Sequence, residues 1–486
     1  MKRNSLTTAV VAGIAGVAGF AGLANAVDLN PDGLGQVLIY PYYTVNKSQD
    51  TLFSVVNTDP VNGKAVKVRF LEGYNSREVL DFNLYLSPND VWTATISQGG
   101  APGSIDTNAQ VSTTDQSCTD PSVLDNSPVF FRTAAFDGSG PVPADDGPQD
   151  GTRTREGYIE LISMGDIDPA SALAGLITHQ DGVPPGCGAI GDGVASAGVV
   201  APTGGLFGEA DIVNVGEGTI FPYTADAIDG FSAIPLYSGS SNLNPSLQDA
   251  NSADAVNGVA RAFVFTNGGQ LVTADYAFGV DAVSAVYMSD AIYNTYIVST
   301  DLGAATDWIV TFPTKRFYVD SLYGAVPFPP FVEAFHAPGE SNVVVVPSIF
   351  DREEATTQVQ GDFSPPISSQ PNSLPFEVNV ISFLSDTGAG DPSGVLGSLL
   401  RPNIVPFAQY GWLKLDLTSG DGGAHQLPGG VTPTGAAVTF NGLPVTGYEA
   451  FNVINANANP GLLANYGGLF RHRASRSCVG ADPACS

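Results

Sequence analysis

The sequence predicts a mainly β protein: one or two antiparallel β-sandwich domains with long Gly-, Asp- and Pro-rich loops and a few short helices. Three observations carry this. Short runs rich in Val, Ile, Leu, Phe and Tyr recur along the chain. The clearest alternates at Leu80, Phe82, Leu84 and Leu86, the period of a half-buried strand. Turn residues separate these runs, with 56 Gly and 35 Pro among 486 residues. Charged residues make up only 14%, which leaves little material for amphipathic surface helices. A hydrophobic content of 43% excludes global disorder. No strict repeat of solenoid or propeller length is present.

The elements follow in order. Met1 to Asn4 is a short basic segment, and an apolar stretch of small residues from Leu6 to Leu23 ends in Ala24-Asn25-Ala26. That is the pattern of a secretory signal peptide, residues 1–26, with cleavage between Ala26 and Val27. No Cys marks a lipoprotein site there. No later run approaches the roughly 18 apolar residues of a membrane-spanning helix, so no transmembrane segment is expected after cleavage. The remaining chain divides into an N-terminal β-sandwich domain over 27–215, with loop insertions tied by a disulfide, and a C-terminal β-rich domain over 216–486.

In the first domain, 36–45 is a strand with Pro41 near its centre, expected at an edge or bend. Runs at 52–56 and 66–70 flank Asp59-Pro60 and Asn62-Gly63 and read as a hairpin. Residues 91–96, with Trp92, form a further strand. Residues 99–155 are a long insertion broken by the apolar Val129-Phe130-Phe131, and 158–162 returns to strand. Asp168-Pro169 has the chemistry of a helix start, with Ala172, Leu173, Leu176 and Ile177 as the apolar face. Residues 182–205 are a second loop. Further on, 263–265 and 271–273 flank Asn267-Gly268-Gly269 as a hairpin, and 281–292 has helical spacing. Strands are expected at 306–312, 343–346, 376–383, 412–417 and 437–440, with a short last helix within 460–473.

The four cysteines are Cys118, Cys187, Cys478 and Cys485. An even number in an exported chain reads as disulfides. Three pairings exist; Cys118–Cys187 with Cys478–Cys485 is favoured because both bonds close local loops. A metal site is disfavoured by the lack of a CxxC pair and of nearby His.

Loss of Lys2 and Arg3 from the 19 basic residues leaves 17 against 48 acidic ones, a formal charge of −31. This balance disfavours nucleic acid and anionic lipid as partners. It suits a soluble exterior protein or one that takes up divalent cations. Calcium is the one ion the chain suggests, because eight Asp-Gly pairs put hard oxygens on tight turns. Asp145, Asp146 and Asp150 are the densest group, without the spacing of an EF-hand or a β-roll. Asp-Gly is also a plain turn signal, and no other cofactor is indicated.

Little points to catalysis. His179, His336, His425 and His472 stand far apart, and no GxSxG, GxxxxGK[ST] or GxGxxG motif occurs. Asp81, Glu160 and Asp416 alternate with apolar neighbours, which reads as a solvated strand face rather than a glycosidase pair. Tyr40, Tyr42 and Tyr43, or Trp92, Trp308 and Trp412, would suit glycan stacking, although Trp in a strand usually belongs to the core. Arg471, His472, Arg473 and Arg476 form a basic patch in an acidic protein. It suits either internal salt bridges or self-association against an acidic face of the next subunit.

Ile39-Tyr40-Pro41-Tyr42-Tyr43, the run 82–97 (FNLYLSPNDVWTATIS), 306–318 (TDWIVTFPTKRFY) and 464–473 (ANYGGLFRHR) together resemble a group of exported proteobacterial cell-surface or surface-layer-like proteins. The resemblance spans nearly the whole mature chain through structural phrases, with no active site to carry over. It implies the exterior of a Gram-negative cell, at the surface or released, with the periplasm as the other destination. Surface-layer proteins are acidic, which fits, and poor in Cys, which this chain is not. The expected function is therefore a non-enzymatic structural or interaction protein of the cell surface, surface-layer-like, self-associating or bound to envelope components. The alternative is a secreted adhesin or glycan-binding module, and a secreted glycoside hydrolase ranks last.

Overall fold

The computed structural model describes residues 26–100, 107–124, 127–251, 259–324, 326–358, 373–384, 392–420, 423–455 and 459–485. The expected signal segment up to residue 25, and Asp421 of the Asp-Gly pairs, lie outside them. The architecture is mainly β, with several antiparallel sheets and short helices.

The first half is a sandwich. One sheet runs, edge to edge, through Asp28–Leu29, Asp226–Asp229, Val37–Thr44, Glu156–Ile167, Gly63–Glu72, Glu78–Leu86 and Cys118–Asp120. The facing sheet runs through Thr219–Thr224, Leu206–Asn214, Asp50–Asn57, Val91–Gln98, Ala109–Ser112 and Val129–Phe130. Aromatic rings bind the two: across the interface Phe53 meets Tyr40 and Phe70 edge to face, each at 5.8 Å between centroids, and Trp92 meets Phe82 at 5.7 Å. Such contacts add to the stabilisation from burial itself. Pro41 lies inside a strand with a neighbour on one side, opposite an irregularity between Gly157 and Ile159. On its other side the pairing stops at Ile39, so the missing N–H disrupts no ladder.

Two expectations change here. The strands Asp50–Asn57 and Gly63–Glu72 lie in opposite sheets, so the turn between them crosses the sandwich instead of closing a hairpin. Asp59 holds that turn by accepting from the amides of Val61 and Asn62 at 2.8 and 2.9 Å. The boundary expected at 215/216 falls within a hairpin whose strands pair Asn214 with Thr219. The first sandwich therefore extends to Asp229, and one apolar core runs on through both halves from Val27 to Cys478.

Among its described residues the second half holds three five-stranded sheets. They run through Ala260–Thr266, Gln270–Tyr276, Gln426–Val431, Ala437–Asn441 and Cys478–Gly480; through Thr356–Gln358, Val346–Asp351, Tyr410–Asp416, Ala291–Ile297 and Arg473–Ser475; and through Asn403–Ile404, Val378–Phe383, Ala304–Thr311, Tyr448–Val453 and Tyr466–Arg471. The hairpin at Asn267-Gly268-Gly269 forms, closing at Thr266 opposite Gln270.

The helices are shorter than their sequence signals. Helix Gly279–Tyr287 ends before Ile292, which instead pairs with Leu415 in a strand. Helix Ala172–Ile177 starts at Ser171, whose hydroxyl accepts from the Ala174 amide at 3.1 Å. Asp168 accepts from Ala170 in the turn before it. The expected last helix is the strand Tyr466–Arg471. Two glycines weaken helix there, and a Cβ at Gly467 would lie 2.7 Å from the Phe451 carbonyl oxygen.

The outer face of the first sheet is covered by the second half and by the segment around Ser240. Glu160, expected on a solvated face, is fully buried. Its Oε2 accepts from Arg69 Nη1 at 2.8 Å and its Oε1 from Arg316 Nη2 at 3.3 Å. Asp320 binds Arg77 and Asn75 at 2.9 Å across the same junction. Asp81 pairs with buried Lys67. Of the three carboxylates, Asp81 and Asp416 keep partly open positions, Asp416 beside Lys414 at 3.2 Å.

Candidate functional site

The basic patch becomes one wall of a cleft. Strand alternation sorts its residues. Arg471 pairs with Tyr448 and Arg473 with Tyr293, and both side chains point outward while His472 between them points in. His472 Nε2 donates to the Ile309 carbonyl at 2.9 Å, and Nδ1 accepts from Asn294 Nδ2 at 3.2 Å. Those two bonds require the neutral ring. Burial first, then Arg471, push its pKa down to about 3. His472 therefore carries no charge and leaves the patch as a core side chain, packed on Trp308 at 4.7 Å between centroids.

Arg476 is held by the hairpin turn. Its amide donates to Asn267 Oδ1 and its carbonyl accepts from the Asn267 amide, both at 2.9 Å. The Cys478–Cys485 disulfide closes the chain just beyond. Arg471, Arg473 and Arg476 thus line a cleft of about 420 Å³, completed by Leu29–Pro31 and Asp226 from the first half and by Tyr287 and Thr446.

The charges do not balance. Asp226 is buried at the floor and accepts from Thr446 Oγ1 at 2.5 Å and from Arg471. Burial and this carboxylate push the Tyr287 phenol well above its usual value, so it stays protonated. Among the described residues of the lining, one carboxylate thus faces three guanidinium groups. Among the described residues, Arg476 Nε is buried with no hydrogen-bond partner. Burial, then Arg471, pull its pKa below the usual arginine value, although an arginine remains charged. An unsatisfied buried donor is costly. A carboxylate, phosphate or sulfate entering the cleft would satisfy it through forked hydrogen bonds.

The other candidates lie elsewhere. Cys118–Cys187 and Cys478–Cys485 form, as favoured; the first staples an edge strand over a small core of Leu173, Ile177 and Val199. Val27 is buried and exchanges backbone hydrogen bonds with Arg261 and Phe263, and Ala26 is buried beside it. Asp145 is turned inward, taking two 2.6 Å bonds from Arg153. Asp150 caps the turn at Thr152 at 2.8 Å, and Asp146 is exposed. These three do not converge, and among the described residues no group of three or more His, Cys, Asp or Glu is placed to hold a metal ion.

The histidines stay apart: His179 meets Ser87, His336 meets Glu333 and His425 meets the Leu417 carbonyl. Tyr40, Tyr42, Tyr43, Trp92 and Trp308 are all buried. Trp412 is 39% exposed and stacks on Phe350 at 4.2 Å. Among the described residues no helix is long and apolar enough to cross a membrane.

Comparison with known proteins brings no match to a family model, to a curated protein or to a solved structure. The site rests on its own geometry. Asp226, Tyr287 and Thr446 escaped the sequence reading because no local pattern links them to the arginines; Thr446 and Asp226 are 220 residues apart.

Proposed function

We propose that the protein is a non-enzymatic structural or interaction protein exported to the surface of a Gram-negative cell. It works by receiving an anionic group of a partner in the cleft of Arg471, Arg473 and Arg476. The observation that carries this is the buried Nε of Arg476, unpartnered among the described residues and set among three guanidinium groups and one carboxylate there. The N-terminal segment and the two disulfides support an oxidising, exterior destination. The favoured partner is an acidic face of a second copy. The chain carries a net charge of −29, so copies repel over most of their surface and attract where this cleft meets carboxylates.

Electron microscopy of cell envelopes tests the role. Ordered sheets or filaments present with the wild-type protein should be lost in an Arg473→Glu/Arg476→Glu strain. A protein recovered wholly as a soluble periplasmic monomer would contradict it. A second reading, a glycan-binding adhesin, is favoured by the open Trp412–Phe350 stack. Under that reading Trp412→Ala removes binding on a glycan array while the arginine variants retain it.

A further inference from the structure

The first turn of helix Gly279–Tyr287 faces a second cavity of about 450 Å³. Phe278, Asp281, Phe317, Tyr318, Tyr323 and Phe328 line it. Phe278 is 70% exposed, Phe328 47% and Tyr323 41%. Large rings left open together at one place form the kind of patch that marks a binding site. Phe317 and Tyr323 meet at 62° with centroids 4.8 Å apart, which makes a corner rather than a flat face.

One carboxylate sits in this corner. Asp281 Oδ1 accepts from Tyr318 Oη at 2.7 Å. Among the described residues no Lys, Arg or His lines the cavity, and no cation contributes to the environment of Asp281. Burial raises its pKa, as expected for a carboxylate withdrawn from water without a counter-ion.

We propose that this cavity binds an alkylated ammonium group, with ring faces against its methyl groups and Asp281 as its counter-charge. Aromatic rings attract a cation within about 6 Å of their centroids, and a quaternary ammonium tolerates a lining poor in acceptors. A sugar would need several hydrogen-bonding groups around it. Among the described residues, Gln248 is the one other polar side chain in the lining beyond Asp281 and the tyrosine hydroxyls, and Leu427 and Pro428 are apolar. An anion would meet the Asp281 carboxylate, and the guanidinium nearest the lining, Arg316, is already engaged over the Phe317 ring at 4.5 Å and by Glu160. The negative charge of the whole chain draws cations to the site.

The test is titration calorimetry on the full chain with choline chloride and with its neutral isostere 3,3-dimethyl-1-butanol. Choline should bind saturably, and about tenfold or more tighter than the isostere. Asp281→Asn, which keeps an acceptor for Tyr318, should weaken choline by a similar factor. So should Tyr323→Ala, at an exposed position where folding is not at stake. Equal binding of the isostere, no saturable choline binding, or unchanged affinity in both variants would overturn the proposal. Sedimentation with phosphatidylcholine vesicles separates the sources. Pelleting relieved by tetramethylammonium assigns the group to a lipid headgroup, and choline binding without pelleting assigns it to a free solute.

Discussion

Arg471 and Asp226 form an ion pair across the cleft, joining the last strands of the chain to the first sandwich. The pair neutralises Arg471 and leaves Arg476 and Arg473 as the uncompensated charges. Inorganic phosphate should therefore bind to the wild-type protein, and Arg476→Ala should weaken it by about 10-fold or more, the loss of one charge-assisted bond. Asp226→Asn should act in the opposite direction by removing the competing carboxylate. Calorimetry at low salt reads both.

The Glu160 cluster gives a stability prediction. Glu160 lies between Arg69 and Arg316 with no exposure. Truncating one partner strands the others in a dry junction, which costs about 3–5 kcal/mol. Glu160→Ala should lower the urea-derived stability by that amount, and Arg316→Met by a similar one. Loss below about 1 kcal/mol would place the cluster in contact with water.

Two buried groups tilt stability with pH in opposite directions. Burial raises Glu449 from 4.5 to about 7, with Thr295 Oγ1 at 3.2 Å as its donor. Its folded form binds more protons than its unfolded form in that window, so its contribution is lost as pH rises from 4.5 to about 7. His472 is lowered from 6.5 to about 3. It binds fewer protons when folded, so its contribution is lost as pH falls from 6.5. Relative to wild type, Glu449→Gln should gain on the order of 3 kcal/mol between pH 4.5 and 7. His472→Gln should flatten the acid limb. Urea midpoints at several pH values check both.

The disulfides differ in span. Cys118 and Cys187 are 69 residues apart, Cys478 and Cys485 only 7. Replacing the first pair by Ser should cost about 2–4 kcal/mol and the second less, because the freed loop is shorter. The second pair should instead weaken phosphate binding, since it holds the chain just after Arg476. Melting temperature and calorimetry separate the two effects.

What the sequence made legible was local. The strand at Leu80–Leu86, the turn at Asn267-Gly268-Gly269 and the Cys478–Cys485 pair each depend on near neighbours, and each forms, although Asn83 and Tyr85 are buried as well, so the strand is covered on both faces rather than half-buried. Asp59-Pro60 and Asn62-Gly63 define a turn but not which sheet the next strand joins. Glu160 alternates as an exposed residue would, because the layer that covers it comes from residues 313–320. The arginines of the cleft stand out in the sequence as a cluster that includes His472, yet strand alternation turns His472 inward. Asp226 and Tyr287 reach the site only through tertiary contacts.

In the proposed assembly the basic cleft receives an anionic surface of another copy. Sedimentation velocity of the mature protein at about 50 and 500 mM NaCl, beside Arg473→Glu/Arg476→Glu, reads this contact, because added salt screens it. The wild type should form larger species at low salt that dissociate at high salt, and the variant should remain monomeric in both. A wild-type monomer under every condition, or assembly undiminished in the variant, would contradict it.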